Sequence, residues 1–234
     1  MSEQEQSATK PVDAKPGRRR RLSPEERERM IVAGAIRYFA EQGFDGETRA
    51  LANSIGVSQA LIFHYFPTKS ALIDRVYEEV FLSRWKVAWI EILGDRSRSL
   101  RHRLKDFYRD YYTTADRPEW IRITLYSSLR DIDINARYFA RVRKEVILRI
   151  AREVRVELGF GDSEEEITES EEQMVYCLHS AVIYALIRKH VYSMPGPQDP
   201  LPIIEANVDL YMNSIPLVLQ RFLGSAASAP DKKE

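Results

Sequence analysis

Residues 58 to 69, SQALIFHYFPTK, hold the densest group of side chains able to make specific polar contacts. Ser58 has the hydroxyl of a helix N-cap, and the free N–H groups at a helix start attract phosphate. Gln59 carries an amide suited to bidentate pairing with adenine, and Ala60 and Leu61 offer surface for thymine methyls. Phe63 brings a ring with no hydrogen-bond donor, fit for an apolar base contact or for a core. His64 and Tyr65 put polar tips about a turn further on, and Lys69 follows at the start of the next helix. Arg49 comes from the helix before. Contacts of the last kind hold phosphates and position a protein on a duplex, whereas only side chains near Gln59 specify sequence. Taken singly, Gln59 or His64 is equally well read as a solvated residue.

Enzymatic chemistry has a poorer footing. Cys177 and His179 lie two apart on a predicted helix and face different ways, so they form no local dyad. His179 and His190 share a face but sit about 16 Å apart, too far for one metal. There is no phosphate-binding glycine loop and no hydrolase elbow. Cys177 is the one cysteine of the chain, which excludes an intramolecular disulfide and a cysteine zinc cluster. With no signal-peptide pattern, a reducing cytoplasm is expected. The expectation is therefore no enzyme, no metal and no cofactor.

The elements that must position the 58–69 group are legible from caps. Ser23, Pro24 and Glu26 form a capping-box start, and Val32, Ala35, Ile36 and Phe39 recur at helical spacing up to about residue 42, with Gly43 as the stop. A short helix over 48–54, closed by Gly56, precedes a third over 59–65 that ends before Phe66 and Pro67. Two short helices around a glycine turn are the outline of a helix-turn-helix. A fourth helix is predicted from Lys69 to about residue 93, and further helices over 97–115, 118–132, 134–158, 165–192 and 201–223. No segment alternates at period two, so the fold class is all-α with about nine helices. The expected layout is a basic disordered tail (1–22), a helix-turn-helix domain (23–68), a helical ligand-binding and dimerisation domain (69–224) and a second disordered tail (225–234).

At 234 residues with 44% hydrophobic and 30% charged side chains and a formal net charge of +0, the chain has the composition of a globular protein, without an apolar run that suggests a membrane span. The charge is uneven: bases predominate between Lys15 and Lys69, led by Arg18 to Arg21, and carboxylates between Asp162 and Glu172. A polyanion is expected at the N-terminal end. The arginine run either reaches along DNA as an arm or is simply solvated.

The string LANSIGVSQALIFHYFPTKSAL, within a longer stretch covering about residues 25 to 75, resembles the DNA-binding region of the tetracycline-repressor (TetR) family. The Leu-Ala, Gly-Val-Ser, aromatic pair, Phe, Lys and Leu match in order. Phe63 stands where that family usually has Tyr, Glu47 sets a carboxylate near the phosphate backbone, and the loop before the second helix is about one residue short. The resemblance implies a dimeric repressor that holds a palindromic operator in double-stranded DNA and is released by a small-molecule effector.

Two apolar stripes fit such a dimer: Met174, Leu178, Ala181 and Ala185 on the penultimate helix, and Ile204, Val208, Tyr211, Ile215, Val218 and Phe222 on the last, which Pro216 is expected to bend. They equally fit each subunit's own core. A two-fold assembly would set its recognition helices about 34 Å apart, one DNA turn. Tyr108, Tyr111, Tyr112, Trp120, Tyr126, Phe139 and Tyr184, with Arg122, Arg130 and Arg188 nearby, are the candidates for a ligand pocket, with plain core as the competing reading. The arginines hint at an anionic ligand. A helical adaptor that binds another protein is the alternative function.

Overall fold

The computed structural model describes residues 22–130, 134–161, 166–194 and 196–226. The arginine run 18–21 and most of the expected C-terminal tail lie outside the described residues. Among the described residues every regular element is helical, and no helix is long and apolar enough to cross a membrane.

Local signals account for the first helices. In α1 (Pro24–Gln42) the Ser23 hydroxyl accepts from the Glu26 amide at 3.2 Å, and the Glu26 carboxylate accepts from the Ser23 amide at 2.8 Å. Ile31, Val32, Ala35, Phe39 and Ala40 form its buried face. α2 (Thr48–Ile55) ends on Gly56 in the left-handed conformation, and α3 (Gln59–Tyr65) and α4 (Lys69–Val80) begin on the hydroxyl caps Ser58 and Thr68.

The predicted fourth helix does not run on to residue 93. It stops at Val80, passes through a 3-10 turn (Leu82–Arg84), and resumes as α5 (Val87–Gly94). The interruption follows from where the large side chains are held. Phe81 packs edge-on against Trp120 and beside Tyr138, whereas the Trp89 indole donates to Asp110 at 2.7 Å and packs on Phe107 and Tyr111. Long-range packing overrides helix propensity here.

α6 (Leu100–Ala115) is the central strut, with Leu104, Phe107, Tyr108, Tyr111 and Tyr112 all buried. It packs against α5, α10 (Glu169–His190) and α11 (Leu201–Ala226). The predicted 134–158 helix is one run with a π-turn, Arg143–Ile147, between α8 (Ile134–Val142) and α9 (Leu148–Glu157). The helix before it, α7 (Pro118–Ser128), is shorter than expected. Buried Arg103 donates to Glu153 at 2.7 Å, and Arg96 donates to the same carboxylate, which ties the start of α6 to α9. Arg155 likewise grips Glu171 beside the Thr168 capping box of α10. A buried charge keeps its charge only when paired this fully.

Candidate nucleic-acid interface and apolar cleft

α3 is held by its inner edge. Ile62 is 1% exposed, Phe66 is buried, and Leu61 and Tyr65 are half-buried against the same core. Gln59, Ala60, Phe63 and His64 face outward, and Arg49 is exposed on α2. For Phe63, the choice between core and surface resolves to surface, at 40% exposure. Leu61 and Tyr65 present only part of themselves.

The head is assembled by two close approaches. A Cβ on Gly34 would lie 2.2 Å from Ile55 Cγ2, so only glycine lets α2 rest on α1 at that crossing. Gly43 adopts φ +72° and packs against the Tyr126 ring of α7. Lys69 serves this frame as well: its Nζ donates to the carbonyls of Phe44 and, at 2.9 Å, of Gly46, stitching the α1–α2 loop to the start of α4. The sequence expectation of a phosphate contact left this role unseen, because a lysine's partners 23 and 25 residues away have no local signature.

The two expected dimer stripes divide. Leu178, Ile204, Val208, Tyr211 and Ile215 are between 0 and 9% exposed within the single chain, so they belong first to its own core. Ile204 and Val208 face inward altogether, which corrects their assignment to a surface for a second copy. Leu178, Tyr211 and Ile215 floor an open groove between α10 and α11, with Met174 and Ala181 at its sides. Ala185 lines a separate recess. The outward apolar residues of α11 are Ile203, Leu210 and Leu217, at heptad spacing, and Tyr184 stands out from α10. The side chain of Phe222 lies outside the described residues.

A cleft of about 250 Å³ lies between α7, α8 and α10. Trp120, Tyr138, Tyr111 and His179 form its inner wall, Ile121, Leu125, Val142 and Ile183 its sides, and Ser128, Phe139 and Ser180 its exposed mouth. The Tyr111 and Tyr138 hydroxyls are 2.8 Å apart. Burial pushes the Tyr138 phenol up to about 12 and the Tyr111 phenol well above its ordinary value. Burial pulls the His179 imidazole down to about 4, so the ring is neutral at pH 7. Its Nδ1 and the hydroxyl of neighbouring Tyr108 are buried without a hydrogen-bond partner.

Of the residues named as candidates for a ligand pocket, Tyr111, Trp120 and Phe139 line this cleft. Tyr108 is fully buried in α6 behind it, and Tyr126 lies on the outer side of α7 against Gly43. Arg130 pairs with Asp45, and Tyr184 is half-exposed beside Tyr192. Tyr112 lines the larger recess of about 570 Å³ at the end of α10 with Arg188, Lys189 and Asp116. That recess is edged by the Asp116–Lys189 ion pair, by the 2.7 Å contact of Asp116 with His190 Nε2, and by Ser193, Met194, Gln198 and Pro200. His179, Tyr138 and Thr124 were missed. The helical spacing Trp120–Thr124–Ser128 and Tyr176–Ser180–Ile183–Ile187 marks the two walls, but each reads equally as core. Among the described residues no group of three His, Cys, Asp or Glu side chains could hold a metal ion.

A short helix that faces outward after a glycine turn, braced by a longer helix behind, defines the class as a helix-turn-helix protein. Residues 31–76 match the family described as bacterial regulatory proteins, tetR family. Over 54 residues the chain is 51% identical to the HTH-type transcriptional repressor Rv1474c of Mycobacterium tuberculosis, a match spanning 23% of this chain and 29% of that protein. The whole fold is similar to a TetR-like transcriptional regulator from Rhodococcus sp. RHA1, with TM-score 0.58, 19% identity and coverage of 87% and 100% of the two chains. It is also similar to AmtR of Mycobacterium smegmatis, with TM-score 0.57, 21% identity and coverage of 84% and 89%. Residues 31–76 thus carry the DNA-binding segment found in the tetR family of bacterial regulatory proteins.

Proposed function

We propose that this chain is a cytoplasmic, homodimeric transcriptional repressor that holds a palindromic operator and lets go when a small molecule fills the cleft. The observation that carries the reading is the two-sidedness of α3, with Ile62 and Phe66 buried while Gln59, Ala60, Phe63 and His64 stay exposed. Gln59, Ala60 and Leu61 read base edges, with Phe63 supplying apolar contact, while Arg49, Ser58, His64 and Tyr65 meet the backbone. Lys69 keeps at most one N–H for phosphate beyond its two carbonyls. Residues 23–68 act as the DNA-binding unit and 69–224 as the sensing and pairing unit.

Pairing uses the groove between α10 and α11, with Ile203, Leu210 and Leu217 added to Met174, Leu178, Ala181, Tyr211 and Ile215. An exposed apolar row of this kind fits a four-helix contact between two copies.

Two links support coupling. α7 lines the cleft on one side and meets Gly43 through Tyr126 on the other, and Arg130 just beyond it pairs with Asp45. From α8, Arg137 holds Asp74 at 2.6 Å and lies over the Tyr77 ring, both on α4. A ligand that parts α7 from α8 therefore acts on α1 and α4, the two helices behind α3, and it shifts the equilibrium only by its differential affinity for the two arrangements.

The test is fluorescence anisotropy with duplexes tiled across the DNA flanking the reading frame. Expected is binding to an inverted repeat that weakens steeply with salt, and a loss of about 1–3 kcal/mol with Gln59→Ala at that repeat. Salt-independent binding, or equal binding to every duplex by both proteins, would overturn the reading.

A further inference from the structure

We infer that the cleft between α7, α8 and α10 takes an uncharged, largely apolar molecule bearing one hydrogen-bonding group, and rejects carboxylates and ammonium ions. The inference rests on the reading of this cleft as the effector site.

Among the described residues, none that lines the cleft carries a formal charge at neutral pH. The arginines that the sequence brings nearby do not line this cleft. Arg122 donates to the His190 carbonyl at 2.9 Å, Arg130 pairs with Asp45, and Arg188 lines the other recess. A carboxylate entering the cleft would find no cation among the described lining residues, and burying an unpaired charge is far more costly than burying a hydrocarbon. The inference departs from the sequence expectation of an anionic ligand.

The buried polar anchor is His179. His179 lines the cleft, is 7% exposed, and has no partner for Nδ1. A neutral imidazole holds one donor and one acceptor, so it suits a hydroxyl, amide or ketone and offers no charge to an acid. Buried polar atoms of native proteins almost always have partners, so a visiting donor or acceptor that reaches this nitrogen gains a hydrogen bond the protein itself does not supply. The Trp120, Tyr138 and Phe139 rings supply the remaining surface, and the volume matches a bicyclic aromatic or a medium-chain alcohol.

The test uses two fluorophores that share a skeleton, neutral N-phenyl-1-naphthylamine and anionic 1-anilinonaphthalene-8-sulfonate, titrated into the full chain at pH 7.5 without DNA. The neutral probe is expected to bind at one per chain, at least tenfold tighter than the sulfonate, with quenching of Trp120. Displacement should follow with 1-decanol and not with decanoate. Ser180→Trp, at the exposed mouth, should abolish probe binding with the helical circular dichroism retained. His179→Leu should weaken 1-decanol about tenfold, the size of one hydrogen bond. Equal or tighter binding of the sulfonate or of decanoate would overturn the inference, as would no binding of the neutral probe or unchanged binding in Ser180→Trp. DNA affinity, measured separately, tells the two failures apart: intact operator binding without probe binding overturns only the ligand class, and the reverse overturns the regulator.

Discussion

His179 is the residue whose chemistry departs most from its ordinary state. Burial beneath the α6 tyrosines Tyr108 and Tyr111, with Tyr176 on its own helix, disfavours the imidazolium, and the ring holds no compensating carboxylate. The folded pKa of about 4 lies below the unfolded value near 6.5. The unfolded chain therefore takes up the proton first as pH falls, and stability present above pH 6.5 is lost progressively toward pH 4. For this group alone the loss between pH 7 and pH 5 is about 2 kcal/mol. His179→Gln should therefore show a flatter stability curve over that range than the parent, read from urea midpoints at each pH, whatever its absolute stability. Parallel curves would mean that the imidazole is already charged or solvated. The paired carboxylates do not obscure this window. Burial raises Glu153 and Glu171, but hydrogen bonds from Arg96 and Arg103 and from Arg155 outweigh it and hold both below the ordinary range. Their contribution is present above the unfolded carboxylate pKa and goes only in more acid solution.

At the scale of the element, the recognition helix is short and depends on its neighbours. A helix of this length is marginal in isolation, so its cap and the buried Ile62 and Phe66 hold it. The packing of α2 on α1 sets its angle, and that packing has no slack at Gly34. Gly34→Ala should cost about 1–3 kcal/mol and weaken DNA binding, because Ile55 must move away from the added methyl. Ile55→Ala in the same chain should restore part of both losses, a coupling that a double-mutant cycle in thermal unfolding would read. Additive losses would argue against the close approach. The presence of α1 to α3 and their caps was legible in the sequence because those signals are local: a capping box, two glycine stops and a Ser cap at fixed offsets. The break at Phe81 was not, because it arises from aromatic partners on α7 and α8 that lie far along the chain.

For the whole molecule, the proposal makes function depend on two copies. Replacing Leu210 and Leu217 together with Glu should leave the helical content unchanged, since both side chains are exposed, and should give a monomer by analytical ultracentrifugation. DNA affinity should fall along with the salt slope, because a monomer neutralises about half as many phosphates. A dimer that survives would place the contact on another face. The cleft belongs to this scale as well, since its walls come from helices α6, α7, α8 and α10 and no segment holds enough of it to be read alone.

From residue order alone came the all-helical class, the helix-turn-helix, the outward group around Gln59 and the family resemblance, because caps, glycine stops and helical periodicity act over a few residues. Which side of α10 and α11 turns inward was decided only in three dimensions. Those helices carry apolar side chains on more than one face, and the stripe that looked free for a partner is largely taken by α6. The ligand wall followed the same rule. A tyrosine or tryptophan contributes a similar apolar area to a core or to a cleft, and only the positions of the surrounding helices settle whether space is left beside it.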